Sequence, residues 1–129
     1  MRKIFFLLFI TCNFSLVSFS QATFKQTDIL KSYKEAEELI NLGKYAVAQP
    51  FLQDFLQKYE NKTLDKSNLI YADAIYLKAL CEKETASPEA EKDLQYFADN
   101  FKGHPKTNNA YFHLGDLAYA KSNYNDALA

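Results

Sequence analysis

The 129-residue chain has no tryptophan, one methionine, two cysteines, two histidines, and only three glycines and three prolines. Because glycine and proline are scarce, it lacks the turn residues of an all-β fold built from many short strands. The formal net charge is −1, so the chain also lacks the excess of basic residues that is typical of a nucleic-acid-binding domain. The remaining composition, 48% hydrophobic and 24% charged, is that of an ordinary globular protein, and the length allows one domain or a fragment of an array.

The first 20 residues have the order of a secretory signal peptide. Two basic residues follow the first methionine, the apolar run Ile4–Ile10 comes next, and Ser18 and Ser20 precede the predicted cut. We expect cleavage after Ser20, with a cut after Ala22 as the second choice. The alternative is an uncleaved membrane anchor, but polar residues between 11 and 15 leave the apolar stretch short of the roughly 20 residues that a spanning helix needs.

Cleavage changes both the charge and the cysteine content. Removing residues 1–20 takes away two of the 15 basic residues and none of the 16 acidic ones, which leaves a net charge of −3. Cys12 lies in this segment, and the residues before it match the lipobox of a bacterial lipoprotein poorly. Cys81 is then the single cysteine, so the fold depends on packing without an intramolecular disulfide. Its apolar helical surroundings predict a small buried hydrophobe rather than a reactive thiol.

After a short linker at 21–27, apolar residues recur at spacings of three and four, without the alternation typical of a strand. This periodicity predicts an all-α fold. We expect helices at about 28–42, 45–59, 65–84, 88–101 and from 107 onward, followed by a short sixth helix. Asn123 with Asp126 three residues later resembles the capping box of that sixth helix.

Single residues predict where several of these helices begin and end. Gly43 suits the end of the first helix, and Asp65 suits the start of the third. Ser87 followed by Pro88 suits the start of the fourth, because proline is tolerated at the first helical position. Pro50 lies inside the second helix, where it removes a backbone hydrogen bond and predicts a kink.

The helices also repeat along the chain. Ala48 and Ala90, 42 residues apart, are each followed by large apolar residues at offsets of 4, 7 and 11, and Ala127 follows Ala90 by 37. The matching small residues in the first helix of each pair are Ala36, Ala79 and Gly115. Small side chains let antiparallel helices approach closely, and a stack of helix pairs buries apolar surface that one pair cannot.

This pattern resembles the tetratricopeptide repeat family, whose units of about 34 residues have large, small, glycine and tyrosine positions at fixed places. The resemblance covers residues 28–129, with units at about 29–62 and 72–105 and a truncated unit at 108–129. The third copy fits best, although Ser122 replaces the glycine of the family, and the second copy is the most degenerate. The residues that would pack the repeats together are Ala36, Gly43, Tyr45, Ala48, Ala79, Ala90, Leu114, Gly115, Tyr124 and Ala127.

The resemblance implies a right-handed α-solenoid of about 2.5 antiparallel helix pairs, acting as a non-catalytic scaffold that binds a protein or peptide in a concave groove. The groove positions of the family are occupied here by Tyr33, Glu37, Tyr76, Asn109, Phe112 and Asp116. Tyr33, Tyr76 and Phe112 would form an aromatic ladder along the groove. The alternative is that these rings pack against the adjacent helix as core. The paired basic clamp of the family is absent, and Lys83 stands alone.

Motifs for catalysis are missing from the sequence. His104 and His113 lack the spacing of a metal site, and there is neither a Gly-x-Ser-x-Gly elbow nor a phosphate-binding glycine loop. We therefore expect no enzyme activity, no cofactor, no metal and no nucleic-acid partner. A hydrolase of unrecognised type remains the second rival.

The two ends of the sequence predict where the protein is located and whether it is part of a longer protein. The Ser-Phe-Ser-Gln ending of the signal peptide resembles exported proteins of Bacteroidota, which implies a periplasmic or outer-membrane-associated location, with no membrane-spanning segment after cleavage. The chain stops within a helix without a polar cap, as an N-terminal fragment of a longer repeat protein would. The main alternative function is therefore a spacer or oligomerisation segment of a larger envelope protein with a functional domain downstream.

Overall fold

A computed structural model of the chain describes residues 28–62 and 68–128, with side chains up to residue 122. These ranges contain five helices and no strand: α1 at 28–41, α2 at Tyr45–Asn61, α3 at Leu69–Glu84, α4 at Ala90–Asn100 and α5 at Thr107–Leu128. The prediction of an all-α fold is confirmed for this part of the chain. The predicted signal peptide at 1–20 and the linker at 21–27 lie outside it. Among the helices of the described ranges, none has the length and apolar character needed to cross a membrane.

The turn between α1 and α2 is a Schellman motif. The Gly43 N–H donates to the carbonyl of Ile40 at 2.9 Å, and the Lys44 N–H donates to the carbonyl of Leu39 at 2.8 Å. This geometry places Gly43 at φ +71°, a left-handed conformation that glycine adopts without the cost of a Cβ clash. Gly43 therefore ends α1, as its position in the sequence predicts.

The helix starts were predicted with mixed success. The N-cap of α3 is Asn68, whose side-chain oxygen accepts a hydrogen bond from the Ile70 N–H at 2.9 Å. The prediction of Asp65 as this cap is wrong, because Asn68 offers the same capping chemistry next to the apolar run; Asp65 itself lies outside the described residues. Ser87 Oγ accepts from the Glu89 N–H at 3.4 Å, and the regular part of α4 begins one residue later.

The fifth helix continues where the sequence predicts a reversal. Its backbone is helical from Thr107 to Leu128, so the expected sixth helix starting at Asn123 is not formed. The hydroxyl of Ser122 donates to the carbonyl of Ala118 at 3.1 Å, a bond within the helix. A glycine at this place would favour a left-handed helix end, whereas serine bonded back to the preceding turn continues the helix.

The core lies along the helix interfaces and follows the repeated offsets. The buried residues at these offsets in α2 and α4 are Ala48, Leu52, Phe55, Tyr59, Ala90, Leu94 and Phe97. Each buried leucine or phenylalanine contributes about 1.5–3 kcal/mol through the removal of apolar surface from water. Pro50 is exposed on the other side of α2, and the helix continues on both sides of it.

The first helix of each pair packs against the second through an aromatic contact. The ring of Tyr33 in α1 lies 5.4 Å from the ring of Phe55 in α2. The ring of Tyr76 in α3, 43 residues further along, lies 5.3 Å from the ring of Phe97 in α4. The interplanar angles, 50° and 54°, are also alike. The two helix pairs are therefore joined internally by equivalent contacts.

The same two tyrosines connect each pair to the next. The hydroxyl of Tyr33 donates to Asp73 Oδ2 on α3 at 2.6 Å, and the hydroxyl of Tyr76 lies 3.2 Å from His113 Nε2 on α5. Tertiary contacts also join α2 to α3, α3 to α4 and α4 to α5. Helices α1, α3 and α5 therefore lie in one row, with α2 and α4 packed against them.

Candidate protein-binding site

The row of α1, α3 and α5 carries a polar cluster around Asp73. Asp73 accepts the Tyr33 hydroxyl, and its other carboxylate oxygen lies 2.7 Å from Lys106 Nζ and 3.8 Å from His104 Nε2. The Asp73 side chain is only 13% exposed, so these partners replace the water that a carboxylate loses on burial. Lys106 Nζ also lies 5.3 Å from the centre of the Tyr76 ring, within cation–π distance. We call these five residues the Asp73 cluster.

Glu37 adds a second carboxylate beside Tyr33. Its Oε1 lies 3.0 Å from the Tyr33 hydroxyl, which is further than the 2.6 Å to Asp73 Oδ2. Burial and the hydrogen bonds to the two carboxylates raise the pKa of Tyr33 far above its usual value. The phenol therefore remains a neutral donor, and its single proton is shared between the closer Asp73 and the more distant Glu37.

A second polar cluster surrounds His113 on α5. The Tyr76 hydroxyl is shared between His113 Nε2 and a hydrogen bond with the Asn109 side chain. Asp116 Oδ2 lies 4.0 Å from His113 Nδ1 and 3.5 Å from Lys83 Nζ. Burial and the nearby Lys83 ammonium lower the pKa of His113, so the ring is neutral at neutral pH. We call these five residues the His113 cluster.

One ring nitrogen of His113 has no hydrogen-bond partner in this cluster. Its Nδ1 is buried and has no hydrogen-bond partner among the described residues. The 4.0 Å distance to Asp116 Oδ2 is too long for a hydrogen bond.

The predicted groove residues lie in different environments. Tyr33 and Tyr76 are 9% and 4% exposed, whereas Phe112 is 68% exposed. The described residues therefore do not form a ladder of three exposed rings. Tyr33 and Tyr76 pack as core, which was the alternative prediction for these rings. Of the remaining predicted residues, Glu37 and Asn109 are hydrogen-bond partners of the two tyrosines, and Asp116 lies beside Lys83 and His113.

The predicted packing residues also divide. Ala36, Ala48, Ala79 and Ala90 are at most 2% exposed, and Tyr45 and Leu114 are half-buried against the core. Gly115 departs from this pattern, because it is exposed and a Cβ added to it would meet no atom within 4 Å. The physical reason is that α5 continues instead of reversing, so no helix of the described ranges covers Gly115. The side chains of Tyr124 and Ala127 lie outside the described part of the structure.

Sequence reasoning missed most of the Asp73 cluster. Asp73, His104 and Lys106 were not among the predicted site residues. The signal was present, because Asp73 is the single charged residue between Leu69 and Leu77. A lone carboxylate on an otherwise apolar helix needs a partner if it is buried, but only the tertiary structure shows that Lys106 supplies it.

An ionic group also joins α3 to α4. Lys78 Nζ lies 2.5 Å from Glu82 Oε1 and 2.5 Å from Asp93 Oδ2. Burial raises the pKa of Glu82, which is 7% exposed and has one carboxylate oxygen without a hydrogen-bond partner among the described residues. This group holds the second helix pair together and lies apart from the two clusters of the α1–α3–α5 row.

Other candidate sites are weak. A shallow depression of about 510 Å³ between the start of α1 and the end of α2 is lined by acidic and basic residues together, including Glu35 and Lys58. No set of three or more His, Cys, Asp and Glu side chains in the described ranges is arranged to hold a metal ion. No protein-family model matches the chain, and no curated protein or solved structure matches it at a significant level.

Proposed function

We propose that the chain is a non-catalytic scaffold that binds a protein or peptide along the row formed by α1, α3 and α5. The observation that carries the proposal is the continuity of polar groups along this row, from Glu37 through the Asp73 cluster to the His113 cluster and Asp116. These groups present carboxylates, an imidazole and ammonium groups on adjacent helices. A polypeptide offers the complementary charges and backbone hydrogen bonds along its length.

Pre-organisation supports this proposal. Asp73 is held by Tyr33 on α1 and by Lys106 in the turn before α5, and Tyr76 is held by His113 on α5, so a bound segment would not have to order them. Glu37 and Asp116 are only partly covered and lie at the two ends of the row. Phe112, 68% exposed beside His113, adds an aromatic side chain of the kind that dominates binding energy at interfaces.

The proposal includes a right-handed α-solenoid of about 2.5 tetratricopeptide-like units. The support is the equivalence of the Tyr33–Phe55 and Tyr76–Phe97 contacts, together with the complete burial of Ala36 and Ala79. It also includes export by a signal peptide at 1–20 to the periplasm or outer membrane of a bacterium, as part of an envelope complex. The support for export is the charged, apolar and small-residue order of that segment.

Site-specific photo-crosslinking in bacterial cells that express the full chain tests the binding face. A photoreactive amino acid replaces Glu37 or Asp116 at the ends of the row, and Gln57 on α2 or Lys92 on α4 serves as the exposed control. We expect a discrete adduct to another protein from the two row positions and none from the controls. Equal adducts at Gln57 and Lys92, or none at Glu37 and Asp116, would contradict the proposal.

The alternative of an oligomerisation segment is supported by a different observation, the three exposed rings on α5: Tyr111, Phe112 and Tyr119. Adducts that join two copies of this chain, without any adduct to another protein from Glu37, would favour it. The two functions are therefore separated by the identity of the crosslinked protein.

A further inference from the structure

One sector of the α5 surface, next to the exposed Asp116, has no charged residue. Seven exposed residues fall within about 120° of the helix circumference, given 3.6 residues per turn. We call them the α5 stripe: Asn108, Tyr111, Phe112, Gly115, Ala118, Tyr119 and Ser122. Three of them are large rings, with exposures of 48% for Tyr111, 68% for Phe112 and 70% for Tyr119.

Other surface helices of the molecule differ from α5 in this respect. The outward face of α4 carries Glu91, Lys92 and Asp99, as a solvated helix face normally does. On α5 the charged residues lie beside the stripe, where Asp116 is near Lys83 on α3 and Lys121 is paired with Glu91 on α4. An uncharged, ring-bearing helix face of this kind marks an interaction surface.

The stripe is symmetric about its central glycine. Residues at equal distances before and after Gly115 form three pairs: Tyr111 with Tyr119, Phe112 with Ala118, and Asn108 with Ser122. The pairs match ring with ring, large with small, and polar with polar. In a two-fold antiparallel pairing of identical helices centred on Gly115, each residue faces its counterpart of the other copy.

We propose that the α5 stripe is a dimerisation surface that pairs antiparallel with the stripe of a second copy of this chain, with the two-fold axis at Gly115. Gly115 allows close approach, because a Cβ built on it meets no atom and the glycine itself presents none. A neutral stripe meeting its own copy brings no like charges together. The dimer is argued from other observations than the scaffold function, but both use Phe112, so a second copy and a bound partner segment would compete for this ring.

The available area fits a weak dimer. A wholly buried aromatic residue removes about 150–250 Å² from water, so the exposed parts of six rings supply roughly 550–950 Å². The small and polar residues of the two stripes add to this area, which reaches the lower end of the roughly 1,200–2,000 Å² of specific interfaces. Association through an area of this size should therefore be weak and depend on concentration.

Sedimentation velocity of the full chain across a wide concentration range tests the proposal. We expect the parent chain to shift from monomer to dimer, and Tyr111→Asp to raise the midpoint concentration at least tenfold. Tyr96→Asp is the matched control, since Tyr96 is a 50% exposed tyrosine on α4, and it should associate like the parent. A parent chain that stays monomeric, as it would if another protein covered the stripe, or an equal shift in both variants would overturn the proposal.

Cysteine crosslinking tests the two-fold geometry in a Cys12→Ser background. Cys81 is retained, because it is buried and burial raises its pKa to about 11. Under mild oxidation Gly115→Cys should form a covalent dimer, whereas Gly103→Cys, at an exposed glycine in the turn before α5, should not. Equal crosslinking at both glycines would overturn the symmetry.

The direction of pairing is tested by mixing two variants. Tyr111→Cys should crosslink with Tyr119→Cys and not with itself, because in an antiparallel pair the two copies of residue 111 lie about 12 Å apart along the helices. Crosslinking of Tyr111→Cys with itself would indicate parallel pairing and contradict the proposal. Circular dichroism of every variant checks that helicity is retained.

Discussion

Tyr76 and Phe112 occupy corresponding positions on successive first helices, 36 residues apart, yet Tyr76 is 4% exposed and Phe112 is 68% exposed. The same contrast separates Ala79, which is wholly buried, from Gly115, which is exposed. Tyr76 is covered by Phe97 of α4 and His113 of α5, whereas no described helix covers the side of α5 that carries Phe112 and Gly115. In this fold the burial of a residue is therefore decided by the next helix in the stack.

The largest expected effect is at the buried ring. Tyr76→Ala should lower the free energy of unfolding by about 3–5 kcal/mol, since it removes the contact with Phe97 and leaves a cavity. Phe112→Ala should change it by less than about 0.5 kcal/mol. Urea denaturation followed by circular dichroism, at a concentration where the chain is monomeric, measures both. Similar losses in the two variants would show that α5 is covered after all.

The small residues give the next contrast. Ala79→Leu should cost roughly 1–3 kcal/mol, because the larger side chain overpacks a fully buried helix contact. Gly115→Leu, in open space on a helix, should stabilise the monomer by roughly 0.5–1 kcal/mol through its higher helix propensity. Thermal melts of both variants against the parent distinguish the signs. A destabilised Gly115→Leu monomer would mean that the two positions are equivalent in packing.

A smaller effect is expected for the hydroxyl that links α1 to α3. Tyr33→Phe removes the hydrogen bonds to Asp73 and Glu37 but keeps the ring, and Asp73 retains Lys106. The loss should be about 0.5–1.5 kcal/mol. The matched control is Tyr96→Phe on the exposed face of α4, which should be neutral in the same denaturation experiment. If Tyr33→Phe has the same free energy of unfolding as the parent, the hydroxyl does not help to join the two helix pairs.

The smallest expected effect is a change of stability with pH that comes from His113. Burial lowers the folded pKa of His113 below its unfolded value of 6.5, so the unfolded chain binds this proton first as the pH falls. Stability contributed by the neutral ring is therefore present above pH 6.5 and is lost as the pH falls through that value toward the folded pKa.

A comparison of the parent with His113→Gln isolates this contribution, because His104 and the carboxylates are common to both proteins. The stability difference in favour of the parent should shrink as the pH is lowered from 7 to 5. Urea denaturation at several pH values measures it. A difference that stays constant with pH would mean that His113 titrates alike in the folded and unfolded chain.

The comparison of regions also shows where sequence reasoning reaches its limit. Gly43 predicts the end of α1 because a left-handed φ favours glycine whatever lies nearby. The chain reversal expected at Asn123 has no such local cause, since Ser122 can bond back to Ala118 and extend α5. In the candidate site the repeat pattern predicted Tyr33 and Tyr76 as groove residues, but it gave no sign that Lys106 reaches Asp73 from a distant turn. The order of residues along the chain does not reveal a contact of this kind.

The sequence by itself determined the helical class and the buried stripes of α2 and α4, because helix geometry places every third or fourth residue on one side. It also determined the end of α1 at Gly43 through backbone sterics. Only the tertiary structure decided which aromatic rings are core and which are surface, and which charges meet around Asp73 and His113. These depend on atoms far apart in the chain, and their burial and pairing energies exist only once the helices are packed.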